Sequence, residues 1–406
     1  MRVDLLTREY PPDVYGGVGV HVARLVPRLR ERVDLRVHCF GAARDERGVR
    51  AHPVPAGLET ANAAIQAMAV DMAMAAAVRG TAVVHSHTWY TNAAGHIAAL
   101  VHGVPHVVTA HSLEPMRPWK AEQLGGGYAV SSFCERTGLA GADRIIAVSH
   151  AMRDDILACH PDIDPARIDV VHNGVDTAEY APDHGTGELE RLGIPLDRPI
   201  VACVARITRQ KGLPRLLRAV PALRPGTRLV VCASAPDTPE IGAEFADLVA
   251  GLNAAGAGVV WLDGQVPPAA LRQLLTRAEV FVCPSRYEPL GIVNLEALAC
   301  GTPVVATATG GIPEVVADGV HGHLVAQDGP DAAYTADLAD RVNALLADPG
   351  AARAMGAAGR RRVQDEFSWE RVAARVEDVY RAAVQDRAAR MDRDRRPAPA
   401  LPGTGR

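Results

Sequence analysis

Short, nearly uninterrupted apolar runs rich in Val and Ile recur along the chain, each followed by a longer stretch with helical spacing. Runs of this kind, bounded by Gly or Pro, predict strands of a parallel sheet covered on both faces. One series covers residues 2–7, 33–39, 82–87, 106–110, 144–148 and 169–172. A second covers 200–207, 229–232, 259–262, 280–283, 304–307 and 323–325. Strand–helix alternation carried through twice predicts two doubly wound α/β domains. Pro, Gly and charge concentrate in APDHGTGELERLGIPLDRP, residues 181–199, which places the seam there and the domains over 1–185 and 186–367. Ligands of open α/β sheets bind beyond the carboxyl ends of the strands, so two such sheets face a central cleft that holds the site. Pro27 falls inside the apolar pattern of the first helix and is expected to kink or end it. Residues 386–406 pass from alternating Arg and Asp into PAPALPGTG and are expected to be disordered.

Composition narrows the function classes. The 406 residues carry 43 Lys+Arg against 47 Asp+Glu, a formal charge of −4, which argues against a nucleic-acid partner. The most apolar helical run, 61–78, contains Asn62, Gln66 and Asp71, so no membrane span is expected. The opening MRVDLL reads as a core strand rather than a signal peptide, and seven scattered cysteines without a CxxC pair suit a reduced, cytoplasmic protein. Only two of the basic residues are lysines, Lys120 and Lys211, and both fall in loops that follow predicted strands.

Four clusters carry the candidate chemistry. Tyr15–His21 (YGGVGVH) opens a helix after the first strand; Gly16 and Gly17 let backbone approach a ligand, and helix-start amides suit a phosphate. Its glycine spacing differs from the dinucleotide fingerprint, and a plain strand-to-helix turn is the alternative. Arg206 and Lys211, in RITRQKG, pair a forked guanidinium with a compact ammonium before a helix, which suits a diphosphate. Glu288 to Glu296 (EPLGIVNLE) places a helix start at Gly291–Val293 between two carboxylates, as a nucleotide sugar would require. The histidines of HSHTWY (85–90) and TAHSLEP (109–115) close two strands; they lack the spacing of a metal motif, and His111 is the one expected to face the cleft. The loop 116–128 (MRPWKAEQLGGGY) that follows looks like an acceptor-side loop or lid. No G-x-S-x-G elbow supports a serine hydrolase, and Glu296, on the phosphate side of its helix start, is badly placed for a glycosidase pair.

Glu288-x7-Glu296, Arg206 with Lys211, the Gly16–Gly17 loop and Gly310-Gly311-Ile312-Pro313-Glu314 resemble the retaining GT-B enzymes of glycosyltransferase family four, over roughly residues 1 to 385. The strings HTWYT, TAHSLEPMRPWKAEQLGGGY, RITRQKG and YEPLGIVNLEALAC are similar to the branch of actinobacterial ADP-glucose-dependent glycogen synthases, also described as α-maltose-1-phosphate synthases.

The resemblance implies a GT-B fold of two Rossmann-like domains that close on the donor, with a final helix near 368–385 packing back on the first. It implies glucose transfer with retention from ADP-glucose, either to glucose 1-phosphate, giving maltose 1-phosphate, or to an α-1,4-glucan end. Gly17 would approach the donor diphosphate, and Arg206 with Lys211 would neutralise it. Glu288 would contact the transferred sugar, and Leu290, Gly291, Ile292 and Val293 the phosphates or sugar through backbone amides. Glu296 would hold the ribose diol, and His111 would touch the transferred glucose. No metal or cofactor is implied. Ala205 stands before Arg206 where many members have Gly, and no lysine precedes the Gly16–Gly17 loop. A phosphorylated acceptor needs cations on the first domain, for which Arg117 and Lys120 are the candidates. A UDP- or GDP-sugar transferase and a GT-B nucleotide-sugar epimerase are the alternatives, and a homodimer stays open.

Overall fold

The strand β1 (Arg2–Leu6) is the run RVDLL, whose last four residues are all buried. That pattern suits a strand covered on both faces. In the computed structural model, which describes residues 1–234 and 236–394, it lies inside a seven-stranded parallel sheet. The other members are β2 (Asp34–Phe40), β3 (Val49–His52), β4 (Val83–His87), β5 (His106–Ala110), β6 (Arg144–Ala147) and β7 (Ile168–Val170), in the order β3-β2-β1-β4-β5-β6-β7. A second parallel sheet holds β8 (Ile200–Arg206), β9 (Arg228–Ser234), β10 (Val260–Leu262), β11 (Val280–Cys283), β12 (Val304–Thr307) and β13 (Gly322–Val325), in the order β10-β9-β8-β11-β12-β13. Both orders reverse beside their first strand, between β1 and β4 and between β8 and β11. Each reversal opens a crevice beyond the carboxyl ends of the two strands. The fold is GT-B.

The sequence pattern missed β3. Its four residues VRAH sit at the sheet edge with only His52 buried, so no apolar run marks them. Pro27 neither ends nor shortens its helix, which runs Gly17–Arg30. Pro27 lies on the exposed face while Val22, Leu25, Val26 and Leu29 are buried. The backbone carbonyl that loses its donor can turn to water, and packing of the opposite face holds the helix.

The two halves are bound together at several points. One apolar cluster runs from Val108 and Ala110 of β5 through Leu113, Tyr287 and Leu290 to Ala202 of β8 and Phe281 of β11. The Glu314 carboxylate accepts hydrogen bonds from the amides of His150 (2.9 Å) and Ala151 (3.0 Å) and contacts His172 Nε2 at 2.7 Å. An acid on two amides at the start of the helix His150–Cys159 caps it and complements its dipole.

After β13 the chain returns to the first sheet. Helix Trp369–Asp394 buries Trp369, Val372, Val376, Val379 and Tyr380 against Val3, Leu5, Val22 and Leu25. It takes in the first nine residues of the segment expected to be disordered. Asp386 pairs with Arg144 at 2.9 Å, and Arg387 and Arg390 both reach the buried Asp143. These Arg and Asp residues thus continue a docked helix rather than open a tail; residues 395–406 of the expected tail lie outside the described residues. The seven cysteines are unpaired, and among the described residues no helix is long and apolar enough to cross a membrane.

Candidate active site

The candidate residues follow the carboxyl ends of four strands: β1 and β5 of the first sheet, β8 and β11 of the second. After β1 the chain forms a loop held by Glu9, whose Oε2 accepts the amides of Tyr15 (2.8 Å) and Gly16 (2.7 Å). Gly16 therefore spends its N–H inside the protein. Gly17 begins the helix, and a Cβ added there would meet nothing within 4 Å. Its lack of a side chain keeps open space next to helix-start amides that have no intrahelical partner.

After β8, Arg206 lies 3.3 Å from Asp237, with its guanidinium carbon 5.3 Å from the ring centre of Tyr15 on the first domain. Lys211 Nζ sits 2.6 Å from Glu288 Oε2, which also accepts from Ser285 Oγ at 3.0 Å. The Glu288 side chain is 8% exposed and that of Lys211 21%, so solvent screens this pair weakly. Gly310 backs it: with φ +52°, a Cβ there would lie 2.1 Å from the Glu288 carbonyl oxygen. Arg206, Lys211 and Glu288 thus come from motifs 82 residues apart in the chain and meet at adjacent strand ends, but the two cations are held by different acids.

Leu290 is buried, and Gly291, at φ +96°, caps a helix beginning at Ile292. This matches the helix start read from the sequence and exposes the amides of its first turn. One and a half turns on, Glu296 hydrogen-bonds Tyr180, and burial raises its carboxyl to about 7, with Glu179 adding and Tyr180 and Arg24 opposing. Arg24, on the helix Gly17–Arg30, pairs with Glu179. Tyr180 and Arg24 were not singled out in the sequence, where nothing marks them as partners of a glutamate in another domain.

His111 follows β5 as expected but is only 9% exposed, and its Nε2 lies 2.9 Å from His87 Nδ1. His21 packs edge-on with its ring 4.6 Å away. Burial pulls His21 down to about 4 and holds His87 and His111 well below the ordinary histidine range, so all three rings are neutral near pH 7. No metal motif marks them in the sequence, yet these imidazoles offer nitrogens within 4.8 Å of one another, the one group of three or more His, Cys, Asp or Glu among the described residues that could hold an ion. The His87–His111 hydrogen bond occupies a lone pair that such an ion would need. Among the described residues no hydrogen bond or ion pair joins His111 to Lys211 or Glu288. His85 is structural, bonded to Tyr380 and Thr109.

The acceptor-side loop divides its two cations. Arg117 Nη2 is 2.5 Å from Glu114 Oε1, a fully buried carboxylate that also receives Ser131 Oγ at 2.7 Å. Beneath it Glu135 accepts the Glu114 amide at 3.0 Å, and burial followed by the Glu114 charge raises Glu135 to about 8. Arg117 thus anchors its own loop. Lys120 instead lines a cleft cavity of about 830 Å3 with Arg8, Tyr15, Tyr90, Arg206, Arg209 and Asp237. Burial, with Arg117 and Arg206 nearby, lowers Lys120 to about 8. Across the cavity mouth Arg209 meets Glu122 of the first domain at 3.3 Å. Arg8 was also missed, although it follows β1 by the same strand-end rule that drew attention to His111.

Two family descriptions fit the two halves: Glycosyltransferase Family 4 matches residues 15–179, and Glycosyl transferases group 1 matches 187–362. The α-maltose-1-phosphate synthase of Mycolicibacterium smegmatis is 55% identical over 387 residues, spanning 94% of this chain and 99% of that one. The chain belongs to glycosyltransferase family four. Another relative, the α-maltose-1-phosphate synthase of Mycobacterium tuberculosis, is 52% identical over 385 residues, covering 94% of this chain and 99% of that protein. Among solved structures, a sucrose-phosphate synthase from Thermosynechococcus elongatus superposes with a TM-score of 0.75 at 25% identity, over 94% of this chain and 98% of that one. A glycosyltransferase of this family acts on a nucleotide sugar and a sugar acceptor.

Proposed function

We propose that this glycosyltransferase moves glucose from ADP-glucose to glucose 1-phosphate, forming maltose 1-phosphate, or to the end of an α-1,4-glucan, with retention at the anomeric carbon. The observation that carries the reading is its identity, above half, with the M. smegmatis α-maltose-1-phosphate synthase over nearly the whole of both chains. Residues 1–185 form the acceptor side and 186–367 the nucleotide-sugar side, with ADP-glucose and a sugar acceptor as the small-molecule partners.

In this reading the bond from the glucose anomeric carbon to the ADP oxygen breaks while a bond to the acceptor 4-hydroxyl oxygen forms on the same face. The acceptor proton passes to the departing phosphate. Charge builds on the diphosphate as it leaves, and Arg206, Lys211 and the amides at Gly17 and at Ile292–Val293 stabilise it. Lys211 must then turn from Glu288 toward phosphate, which frees the Glu288 carboxylate to accept sugar hydroxyls. Glu296, held by Tyr180, accepts from the ribose diol, and neutral His111 hydrogen-bonds the transferred glucose. These groups supply the positive charge, so the reading uses no metal or cofactor.

The test is purified protein with ADP-, UDP- or GDP-glucose, with and without glucose 1-phosphate or glycogen, in EDTA, with products resolved by mass. Maltose 1-phosphate from ADP-glucose is the expected product. Free nucleotide and a rearranged sugar without acceptor would make it an epimerase. Activity lost to EDTA and restored by zinc would reassign His21, His87 and His111.

A further inference from the structure

A phosphorylated acceptor brings a second polyanion next to the donor diphosphate, and like charges at that range repel by several kcal/mol unless cations separate them. The first domain must supply such a cation, and Arg117 is committed to buried Glu114. Arg8 differs. It lies two residues after β1, while Tyr90 lies at the start of the helix Trp89–His102 that follows β4, so the two flank the first sheet's reversal. The Arg8 guanidinium carbon lies 4.2 Å from the Tyr90 ring centre. It is exposed to the cavity and, among the described residues, has no carboxylate partner, whereas Arg206 is held by Asp237 and Arg209 by Glu122.

We infer that Arg8, stacked on Tyr90, grips the phosphate of a sugar-phosphate acceptor, with Lys120 as the second cation of that subsite. Stacking fixes the plane of the guanidinium and leaves its edge for a bidentate contact with a phosphate monoester, at little entropic cost. Arg206 lines the facing wall of the same cavity, so the donor and acceptor phosphates would draw on cations from opposite walls. The inference rests on the function proposed above and specifies the residue that distinguishes a phosphorylated acceptor from a glucan end.

The test compares the full chain with Arg8→Ala and Arg8→Lys, using ADP-glucose with glucose 1-phosphate or with maltoheptaose. Arg8→Ala should lower the ratio of kcat/KM for glucose 1-phosphate to that for maltoheptaose by about 10- to 100-fold, mainly through KM. Arg8→Lys should recover only part, because a point charge lacks the fork. A ratio unchanged within about twofold in a folded Arg8→Ala protein overturns the subsite and leaves the function standing. If the unmodified protein makes no product from glucose 1-phosphate, the glucose 1-phosphate branch of the function fails instead. Calorimetric titration with glucose 1-phosphate and glucose 6-phosphate in the presence of ADP then judges the subsite: binding lost in Arg8→Ala upholds it, and binding absent or unaltered overturns it.

Discussion

The two walls of the cleft bind charge by different construction. On the second domain, the groups that would face the donor diphosphate come from two contiguous motifs, each running from one strand end into one helix: Arg206–Lys211 after β8 and Glu288–Glu296 after β11. On the first domain the charged and ring groups arrive singly. Arg8 follows β1, His87 ends β4, His111 follows β5, Lys120 stands on a short helix, and Arg24 comes from a helix face. The difference follows from what each wall must recognise. A diphosphate is satisfied by helix-start amides and adjacent cations, which local sequence can supply. A sugar with hydroxyls in several directions needs side chains converging from several elements.

The comparison breaks most readily at Lys211 and Glu288. If the donor wall acts as one unit, Lys211→Ala and Glu288→Gln should each lower kcat by roughly 10²–10⁴-fold, and the double variant by little more than either alone. Strictly additive losses, measured as a double-mutant cycle, would show that the 2.6 Å pair is two independent groups.

A smaller effect is expected at Lys120. Because Lys120 loses its proton near pH 8 in the free protein, kcat/KM for glucose 1-phosphate should fall about tenfold per pH unit once the pH passes that value. Lys120→Arg stays charged and should flatten the fall. With glycogen as acceptor the profile should not change between the two, which places the titrating cation on the acceptor wall.

The smallest effect concerns the support beneath that wall. Glu135 titrates near 8 when folded and near 4.5 when unfolded, so between those values the native state holds a proton that the unfolded chain releases. Stability that is present below about pH 4.5 is therefore lost as the pH rises toward 8. Glu135→Gln should raise Tm at pH 8.5 by about 1–3 °C and leave it unchanged at pH 4. Equal melting curves at both values would show that Glu135 is ionised in the folded protein.

The same contrast decides what could be read from the sequence. The strands of both sheets announce themselves because burial on two faces forces apolar runs; only β3, short and at the edge, escapes that constraint. Glu288, Gly291 and Glu296 are legible because helix geometry ties their spacing to a single helix start. The partner of Arg117 is not legible because nothing in MRPWK shows that Glu114 will be buried three residues before it. Arg8 is lost among 41 arginines, most of them at the surface, until tertiary structure sets it over Tyr90. Helix Trp369–Asp394 is longer than its composition suggests because its terminal Arg and Asp residues find partners on a domain that the chain left two hundred residues earlier.

The chain passes between the domains twice, and the two crossings lie side by side: the amide of Val175 donates to the carbonyl of Phe367 at 2.9 Å, and Val175 bridges to Ser368. Two tethers joined to each other behave as a single hinge. Any opening of the cleft about that point would carry the final helix, packed on the first sheet, along with the first domain. Arg8 and Arg206 belong to opposite arms of that hinge, and its angle sets the gap between them. A rotation about that point would therefore bring the cations of both walls to grip distance together.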